Sequence, residues 1–332
     1  MAPANVGFFS SKPYDQTVFE PLCSAHNIRL QHFEARLDIS TVALAKGCST
    51  ICVFVNDELN ASVIDALADI GVKHIALRCA GYNNVDIPQC KTHGIKVSHV
   101  PVYSPEAVAE HAMALILTLN RKMHKAYNRV KEGNFALHGL MGFTMKDKTV
   151  GVIGTGHIGK AFIRILNGFG CNVVAYDPYP EPSLELSQCR YVSLAELFSA
   201  SDIISLHCPL TAENQHMINA AAITSMRPGV MLINTSRGGL IDTQALIQGL
   251  KSKQIGYVGL DVYEMESELF FRDHSCDVIQ DDIFQRLSTF HNVLITGHQG
   301  FFTREALDEI AHTTLANITA CNQGQCDPAQ FL

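Results

Sequence analysis

The sequence predicts an α/β protein with two doubly wound domains, each a parallel sheet covered by helices on both faces. Three observations support this prediction. Short apolar runs rich in β-branched residues alternate with helical stretches along nearly the whole chain. Five such runs precede a glycine-rich segment near the middle of the sequence, and further runs follow it. The length of 332 residues is enough for two domains with substantial cores.

The first third of the chain contains five strand candidates separated by helix candidates. Each strand is a short apolar run bounded by polar or turn-forming residues, as expected for a strand buried in a parallel sheet. We expect strands at Val6–Phe9, Ile28–Phe33, Thr50–Val55, His74–Arg78 and Lys96–His99, and helices at Asp15–Ala25, Ala61–Ile70 and Ile87–His93. A long helix then begins at Pro105, with Ser104 as its N-cap.

The glycine-rich segment has the pattern of a strand, a tight turn and a helix. Gly154, Gly156 and Gly159 have G-x-G-x-x-G spacing, and Asp177 ends the next apolar strand. In this arrangement the glycines permit the turn, the approach of a diphosphate and close packing of the helix, while the acid binds the adenosine ribose. A carboxylate also repels a 2′-phosphate, so the pattern predicts NAD in preference to NADP.

Four further strands are expected after this segment, and each ends in a polar cluster. The strands are Ile203–His207, Val230–Asn234, Tyr257–Asp261 and Val293–Ile295. Ligands bind outside the carboxyl ends of the strands in open parallel sheets, so the clusters should meet at one site. A last helix, from Thr303 to about Asn317, has an apolar face, and its packing on the first domain would make that domain discontinuous.

Composition excludes several classes of function. The net charge of −7 argues against general binding to nucleic acid or to anionic membranes. We found no apolar run of the roughly 18 residues needed to span a membrane, and Met1–Ser10 lacks the basic start of a secretory signal. A cytoplasmic location is therefore predicted. The eleven cysteines include no Cys-x-x-Cys pair, so neither disulfides nor a metal site are expected.

Three residues of the polar clusters match the chemistry of hydride transfer to a keto acid. Arg237 offers a planar group of donors for a carboxylate, and His298 can exchange a proton near neutral pH. Glu266 could hydrogen-bond the second nitrogen of His298 and favour the protonated ring. Glu264 is an equally good candidate, because strand alternation cannot separate two residues that are two positions apart. His207 is better explained as part of the strand end that faces the cofactor.

The turn at Ala80 and Gly81 has two readings. Its backbone N–H groups could form a concave site for an anion. An ordinary tight turn between strand and helix explains the same residues, and from this stretch alone we favour it by about two to one.

The chain resembles the D-2-hydroxyacid dehydrogenases. Within that family it is most similar to the NAD-dependent enzymes of bacterial fermentation that act on D-lactate. The resemblance covers nearly the whole chain. It rests on the motifs at 78–86, 103–111, 154–159, 207–209, 234–237, 261–266 and 297–301. It implies two Rossmann-like domains with a cleft between them, a substrate domain at 1–101 plus 300–332 and an NAD-binding domain at 102–299. It also implies a homodimer or homotetramer.

The resemblance assigns a role to each candidate residue. Arg237 would bind substrate, His298 would be the general acid and base, and Glu266 rather than Glu264 would pair with it. The N–H groups of Ala80 and Gly81 would bind the substrate carboxylate, against the reading of that turn from its residues alone. Tyr103 and Phe301 would border the substrate methyl group. Cofactor contacts are expected at Gly154, Gly156, His157, Ile158, Gly159, Asp177, Cys208, Pro209, Asn214, Thr235, Ser236 and Asp261.

The expected reaction is reversible reduction of pyruvate to D-lactate by NADH. Two alternatives remain open. The substrate could be another short 2-keto acid, such as glyoxylate, hydroxypyruvate or phenylpyruvate. The same fold also serves in NAD-sensing corepressors, although the complete set of Arg237, Glu266 and His298 favours an enzyme.

Overall fold

A computed structural model describes residues 3–185 and 189–332. The chain forms two compact units, one made of Met1–Ser104 with Phe302–Leu332 and the other of Pro105–Phe301. Each unit has a parallel sheet with helices, so the predicted α/β class and the discontinuous first domain are confirmed. Within the described residues, no helix is both long and apolar enough to cross a membrane.

The first unit has a five-stranded sheet in the order β2-β1-β3-β4-β5, with every pair parallel. Its order reverses between β1 and β3, as in other doubly wound sheets. The strands are β1 (Ala4–Phe8), β2 (Ile28–His32), β3 (Thr50–Val53), β4 (His74–Leu77) and β5 (Lys96–Ser98), and the helices are α1 (Pro13–Cys23), α2 (Ala61–Asp69) and α3 (Ile87–Thr92). The predicted elements are all present, with ends that differ by one or two residues. A short 3₁₀ turn at Val42–Ala45 was not predicted.

The second unit has a seven-stranded parallel sheet in the order β12-β11-β10-β9-β6-β7-β8. Its strands are β6 (Thr149–Ile153), β7 (Asn172–Tyr176), β8 (Arg190–Tyr191), β9 (Ile203–Leu206), β10 (Val230–Asn234), β11 (Ile255–Leu260) and β12 (Val293–Ile295). Its helices are α4 (Pro105–Arg121), α5 (Met123–Lys131), α6 (His157–Gly168), α7 (Pro182–Glu185), α8 (Leu194–Ala200), α9 (Ala220–Ser225), α10 (Thr243–Lys251) and α11 (Asp282–Ser288). The order reverses between β6 and β9, so the glycine-rich turn after β6 lies at the switch point where dinucleotides bind.

Two hydrophobic clusters cover the two faces of this second sheet. Val150 and Val152 of β6 face one cluster, which includes residues of α4 and α6. Ile153 and Leu232 face the other, which includes residues of α8, α9 and α10. Burial on both faces explains why these strands are nearly continuous apolar runs.

The C-terminal helix α12 (Arg304–Asn322) packs on α1 and β4 of the first unit. Its N-cap is Thr303, whose side chain accepts a hydrogen bond from the backbone N–H of Ala306 at 3.2 Å, as predicted. The helix is longer than predicted and ends two residues before Gly324, which adopts a φ of +74°. The last residues return to β5, where the backbone N–H of Leu332 donates a hydrogen bond to the carbonyl oxygen of Val97.

Candidate active site

The glycine-rich turn is shaped partly by packing and partly by open space. Gly154 has a φ of +97°, and a Cβ there would lie 2.7 Å from the backbone nitrogen of Cys208. A Cβ on Gly159 would lie 2.0 Å from the carbonyl oxygen of Gly154, so the fold itself requires these two glycines. A Cβ on Gly156, by contrast, would meet no described atom within 4 Å. That open space, next to the exposed first residue of α6, fits a diphosphate on the helix N-terminus.

Asp177 follows β7 and is fixed beside this turn. One of its carboxylate oxygens accepts hydrogen bonds from the backbone N–H of Thr155 at 2.7 Å and from the Thr155 hydroxyl at 3.1 Å. The other accepts from the N–H of Tyr179 at 2.8 Å. The half-buried carboxylate therefore has a fixed position, as the predicted ribose contact requires.

Five further cofactor candidates, Cys208, Pro209, Asn214, Thr235 and Ser236, lie after β9 and β10. The Asn214 side chain donates to the carbonyl oxygen of Pro209 at 2.7 Å, and the Ser236 hydroxyl donates to the carbonyl of Cys208. Thr235 is buried, and its hydroxyl has no hydrogen-bond partner among the described residues. An unpaired buried hydroxyl is costly, so a ligand that bonds it is favoured. This residue set therefore fits a dinucleotide.

His207, directly after β9, is not a second acid. Its Nε2 lies 2.9 Å from the Ser205 hydroxyl, and burial lowers its pKa to about 3. The ring is therefore neutral at physiological pH. Burial raises the pKa of the neighbouring Cys208 to about 11, which likewise keeps this thiol protonated and unreactive.

His298 and Glu266 form a hydrogen-bonded pair. The Nδ1 atom of His298 lies 2.9 Å from one carboxylate oxygen of Glu266. The second oxygen accepts a hydrogen bond from the backbone N–H of Tyr263 at 3.0 Å. The side chains of the pair are only 15% and 22% exposed. Because the carboxylate is an acceptor, Nδ1 carries the proton of this bond, and Nε2 is left for the reacting group.

Glu264, the alternative partner, makes contacts elsewhere. Its carboxylate oxygens lie 2.5 Å from Nε2 of His216 and 3.0 Å from the hydroxyl of Thr243, which donates to it. The structure therefore pairs His298 with Glu266, as the resemblance implied.

The loop that carries His298 is held by Asp261, at the end of β11. His298 has a φ of +53°, an uncommon conformation for a residue with a side chain. Its N–H donates to the carbonyl oxygen of Asp261 at 2.8 Å. The buried Asp261 carboxylate accepts from the N–H groups of Gln299 at 2.9 Å and Gly300 at 2.7 Å. These three bonds fix the backbone on which the histidine side chain depends.

His111 of α4 and Thr296 complete this arrangement. Thr296 donates to Asp261 at 2.5 Å, and Nε2 of His111 lies 3.0 Å from the Thr296 hydroxyl and 3.2 Å from the Asp261 carboxylate. Burial alone would raise the pKa of Asp261, but the hydrogen bonds from His111 and Thr296 hold it below its ordinary value. Sequence reasoning missed this role of His111, although the residue lies in a motif of the resemblance. The predicted contact of Asp261 with the cofactor stays a prediction.

Two phenylalanines lie around the imidazole of His298. The ring of Phe271 is centred 5.7 Å from it, and the buried ring of Phe301 is centred 6.5 Å away and nearly perpendicular. Phe301 is one of the predicted substrate contacts. Phe271 was not predicted, because it lies in a charged loop without a readable pattern.

Arg237 follows β10, and its loop packs on the loop of Glu266. A Cβ on Gly238 would lie 2.1 Å from the carbonyl carbon of Tyr263, so the two loops touch through their backbones. The half-buried guanidinium of Arg237 donates to the carbonyl oxygen of Ser236 at 2.8 Å. It forms no ion pair with any described residue, so most of its donors are available to a carboxylate.

The first unit contributes the other predicted substrate contacts. Ala80 and Gly81 follow β4, and their backbone N–H groups have no acceptor among the described residues. Their carbonyl oxygens accept hydrogen bonds, that of Ala80 from Nδ1 of His99 at 2.8 Å and that of Gly81 from the Cys79 thiol at 3.3 Å. The two backbone N–H groups of this turn are therefore available as hydrogen-bond donors. Tyr103 is half-buried two residues before α4.

The chain is similar to known proteins over nearly its whole length. The family model for the NAD-binding domain of D-isomer specific 2-hydroxyacid dehydrogenases matches residues 113–300. D-lactate dehydrogenase of Escherichia coli is 53% identical over 325 residues, which cover 98% of each chain. The solved structure of D-lactate dehydrogenase from Aquifex aeolicus with NAD and lactic acid is 34% identical, with a TM-score of 0.89 and 99% of each chain covered. That of the pyruvate reductase of Chlamydomonas reinhardtii is 46% identical, with a TM-score of 0.91 and 98% of each chain covered.

Proposed function

The chain belongs to the D-isomer specific 2-hydroxyacid dehydrogenase family, and on that premise we propose that it is an NAD-dependent D-lactate dehydrogenase. The reaction is the reversible reduction of pyruvate to D-lactate by NADH. The observation that carries this proposal is the pairing of His298 with Glu266 at 2.9 Å. It is supported by Arg237, which lacks an ion-pair partner among the described residues and lies on a loop that packs against the loop of Glu266.

His298 is the general acid for reduction. NADH, when bound, would supply the hydride for the keto carbon, and the carbonyl oxygen would then need a proton. Nε2 of His298 donates this proton, and in the reverse direction it takes the proton from the hydroxyl of D-lactate. The Glu266 carboxylate accepts the hydrogen bond from Nδ1 and thereby fixes the orientation and the tautomer of the ring.

The substrate carboxylate calls for positive charge and hydrogen-bond donors. We infer that the guanidinium of Arg237 binds it and polarises the adjacent carbonyl group. The free N–H groups of Ala80 and Gly81 are inferred to donate hydrogen bonds to the same carboxylate, since a turn with unpaired donors is suited to an anion. This role is supported by the absence of any other acceptor for them in the described residues.

The proposed substrate is short because two aromatic side chains are inferred to border its methyl group. Phe301 is buried 6.5 Å from the ring of His298, and Tyr103 is half-buried in the first unit. A kcat/KM for pyruvate above those for phenylpyruvate and hydroxypyruvate is expected. A higher value for phenylpyruvate would contradict the proposed role of these two rings.

The test of the proposed function is consumption of NADH with pyruvate by the purified protein, with the product resolved into its enantiomers. Rapid turnover to D-lactate alone is expected. Turnover only with glyoxylate or another keto acid would change the substrate and keep the mechanism. Tight binding of NADH with no turnover of any keto acid would favour a nucleotide-sensing role.

We propose a homodimer or homotetramer assembled through the second unit. Several large apolar side chains of α5 and the segment after it are more than half exposed, which is typical of an interaction surface. They are Met123, Tyr127, Val130, Phe135, Leu137 and Met141. The use of pyruvate and NADH further supports a cytoplasmic location and a role in fermentation.

A further inference from the structure

The second unit also has a cavity that none of the candidate active-site residues lines. Its volume is about 760 Å³, and it is lined by the end of α4, the start of α5 and the beginnings of β11 and β12. Gly256 and Asn292 mark those strand ends. The cavity is therefore at the amino edge of the parallel sheet, whereas the glycine-rich turn and His298 follow the carboxyl ends of its strands.

The lining of this cavity is strongly basic. Five cationic side chains line it, and none of the described residues that line it is an aspartate or a glutamate. The cations are Lys122, Lys125, Lys251, Lys253 and Arg286. The chain as a whole has more acidic than basic residues and a net charge of −7. The charge of the cavity lining is therefore opposite in sign to the net charge of the protein.

These cations lack the partners that usually neutralise lysine and arginine. No ion pair with a carboxylate is found for any of the five within the described part of the chain. Lys125 donates to the carbonyl oxygen of His291 at 2.5 Å, and Lys122 donates to that of Met141 at 2.6 Å. A carbonyl oxygen uses one ammonium proton of three and leaves the full charge uncompensated.

Two of the lysines lie close together where α4 ends and α5 begins. Lys122 is the N-cap of α5, with a φ of +50°, and Lys125 lies in the first turn of this helix, which contains no acidic residue. Burial, followed by repulsion from Lys122 and Arg129, lowers the pKa of Lys125. An anion in the cavity would relieve this repulsion.

We propose that this cavity binds a small anion that carries two or more phosphate groups. Lysine binds phosphate as a point charge, and the cavity brings four lysines and one arginine together. Five cations would match the charge of a bisphosphate or a triphosphate better than that of a single carboxylate. The site is independent of the proposed reaction, because it shares no residue with the cofactor or substrate contacts.

The test is calorimetric titration of the full-length protein with inorganic triphosphate in about 0.15 M salt. NADH is kept saturating, so that the glycine-rich turn is already occupied. Saturable binding at one site per chain is expected, with a dissociation constant below about 1 mM. The variant with Lys251→Gln and Lys253→Gln removes two exposed cations and should bind about tenfold more weakly.

The matched control changes two exposed lysines of the first unit, Lys73→Gln and Lys91→Gln. It alters the net charge by the same amount without changing a residue that lines the cavity, so the dissociation constant should stay within about twofold. Equal weakening in both double variants would show general charge attraction and overturn the proposal. Absence of saturable binding by the unmodified protein would overturn it as well. Neither result depends on turnover of pyruvate.

Discussion

Replacement of Glu266 by glutamine tests what the carboxylate paired with His298 contributes to the reaction. The change keeps the shape of the side chain but removes the charge opposite His298. One oxygen of Glu266 accepts a hydrogen bond from His298 Nδ1 at 2.9 Å, and the other accepts one from the backbone N–H of Tyr263 at 3.0 Å. Glutamine has only one acceptor oxygen, so it cannot satisfy both donors.

The size of the effect follows from the geometry of the pair. At 2.9 Å, the attraction between carboxylate and imidazolium is about 6 kcal/mol for an effective dielectric constant of ~20, before desolvation is subtracted. The side chains are 15% and 22% exposed, so solvent screens part of this energy. We expect the loss of this charge to lower kcat/KM for pyruvate by about 30- to 150-fold, which corresponds to about 2–3 kcal/mol of transition-state stabilisation.

NADH binding distinguishes this effect from a structural defect. The Glu266 variant should bind NADH within about twofold of the unmodified protein, while kcat/KM for pyruvate falls by about 30- to 150-fold. Glu264→Gln is the matched control, since Glu264 contacts His216 and Thr243 instead. An equal weakening of NADH binding, or a loss of kcat/KM that Glu264→Gln reproduces, would refute the reasoning.

Three further predictions concern stability, cofactor choice and assembly. Burial lowers the pKa of His74 to about 3 from 6.5. The unfolded chain therefore gains a proton first, and stability is lost as pH falls below 6.5. The drop of the unfolding free energy in urea between about pH 6.5 and pH 5 should be smaller by about 2 kcal/mol in His74→Gln than in the unmodified protein, where the buried His207 also contributes; an equal drop in both would contradict this. Asp177→Ser removes the charge that repels a 2′-phosphate and should raise the NADPH to NADH ratio of kcat/KM at least about tenfold; an unchanged ratio would be evidence against the ribose contact. Leu137→Asp combined with Met141→Asp places charges where the side chains are 82% and 86% exposed, and light scattering should then give the mass of a single chain, whereas an unchanged mass would exclude this surface from the interface.

The fold was predictable where single segments contain a complete physical signal. A strand buried on both faces must be a short apolar run, so β3, β4, β9 and β10 could be placed from their residues. The turn after β6 could also be predicted from its glycines. Two of them are required by the fold, because a Cβ there would collide with neighbouring backbone atoms. The polar clusters after the strands could be assigned to one edge because parallel strands share a direction.

Other elements depend on contacts that a linear pattern does not show. Helix α5 follows α4 after a single residue, Lys122, whose left-handed conformation is not marked by glycine or proline. Strand β8 has two residues, which is too short for a periodic signal.

In the site, the choice between Glu264 and Glu266 could not be made from residues alone, because the chain leaves β11 at Leu260 and then turns. The role of His111 requires the packing of α4 beside Asp261, which only the folded chain provides.

The most direct test of the central claim is the activity of His298→Asn. Asparagine tolerates the φ of +53° at this position, so the loop should keep its conformation. NADH oxidation with pyruvate and the dissociation constant of NADH are measured on the same preparation. If His298 is the general acid, turnover should fall by about 10²- to 10⁴-fold, while NADH binding changes by less than about twofold. Turnover close to that of the unmodified protein would contradict this assignment and the mechanism built on it.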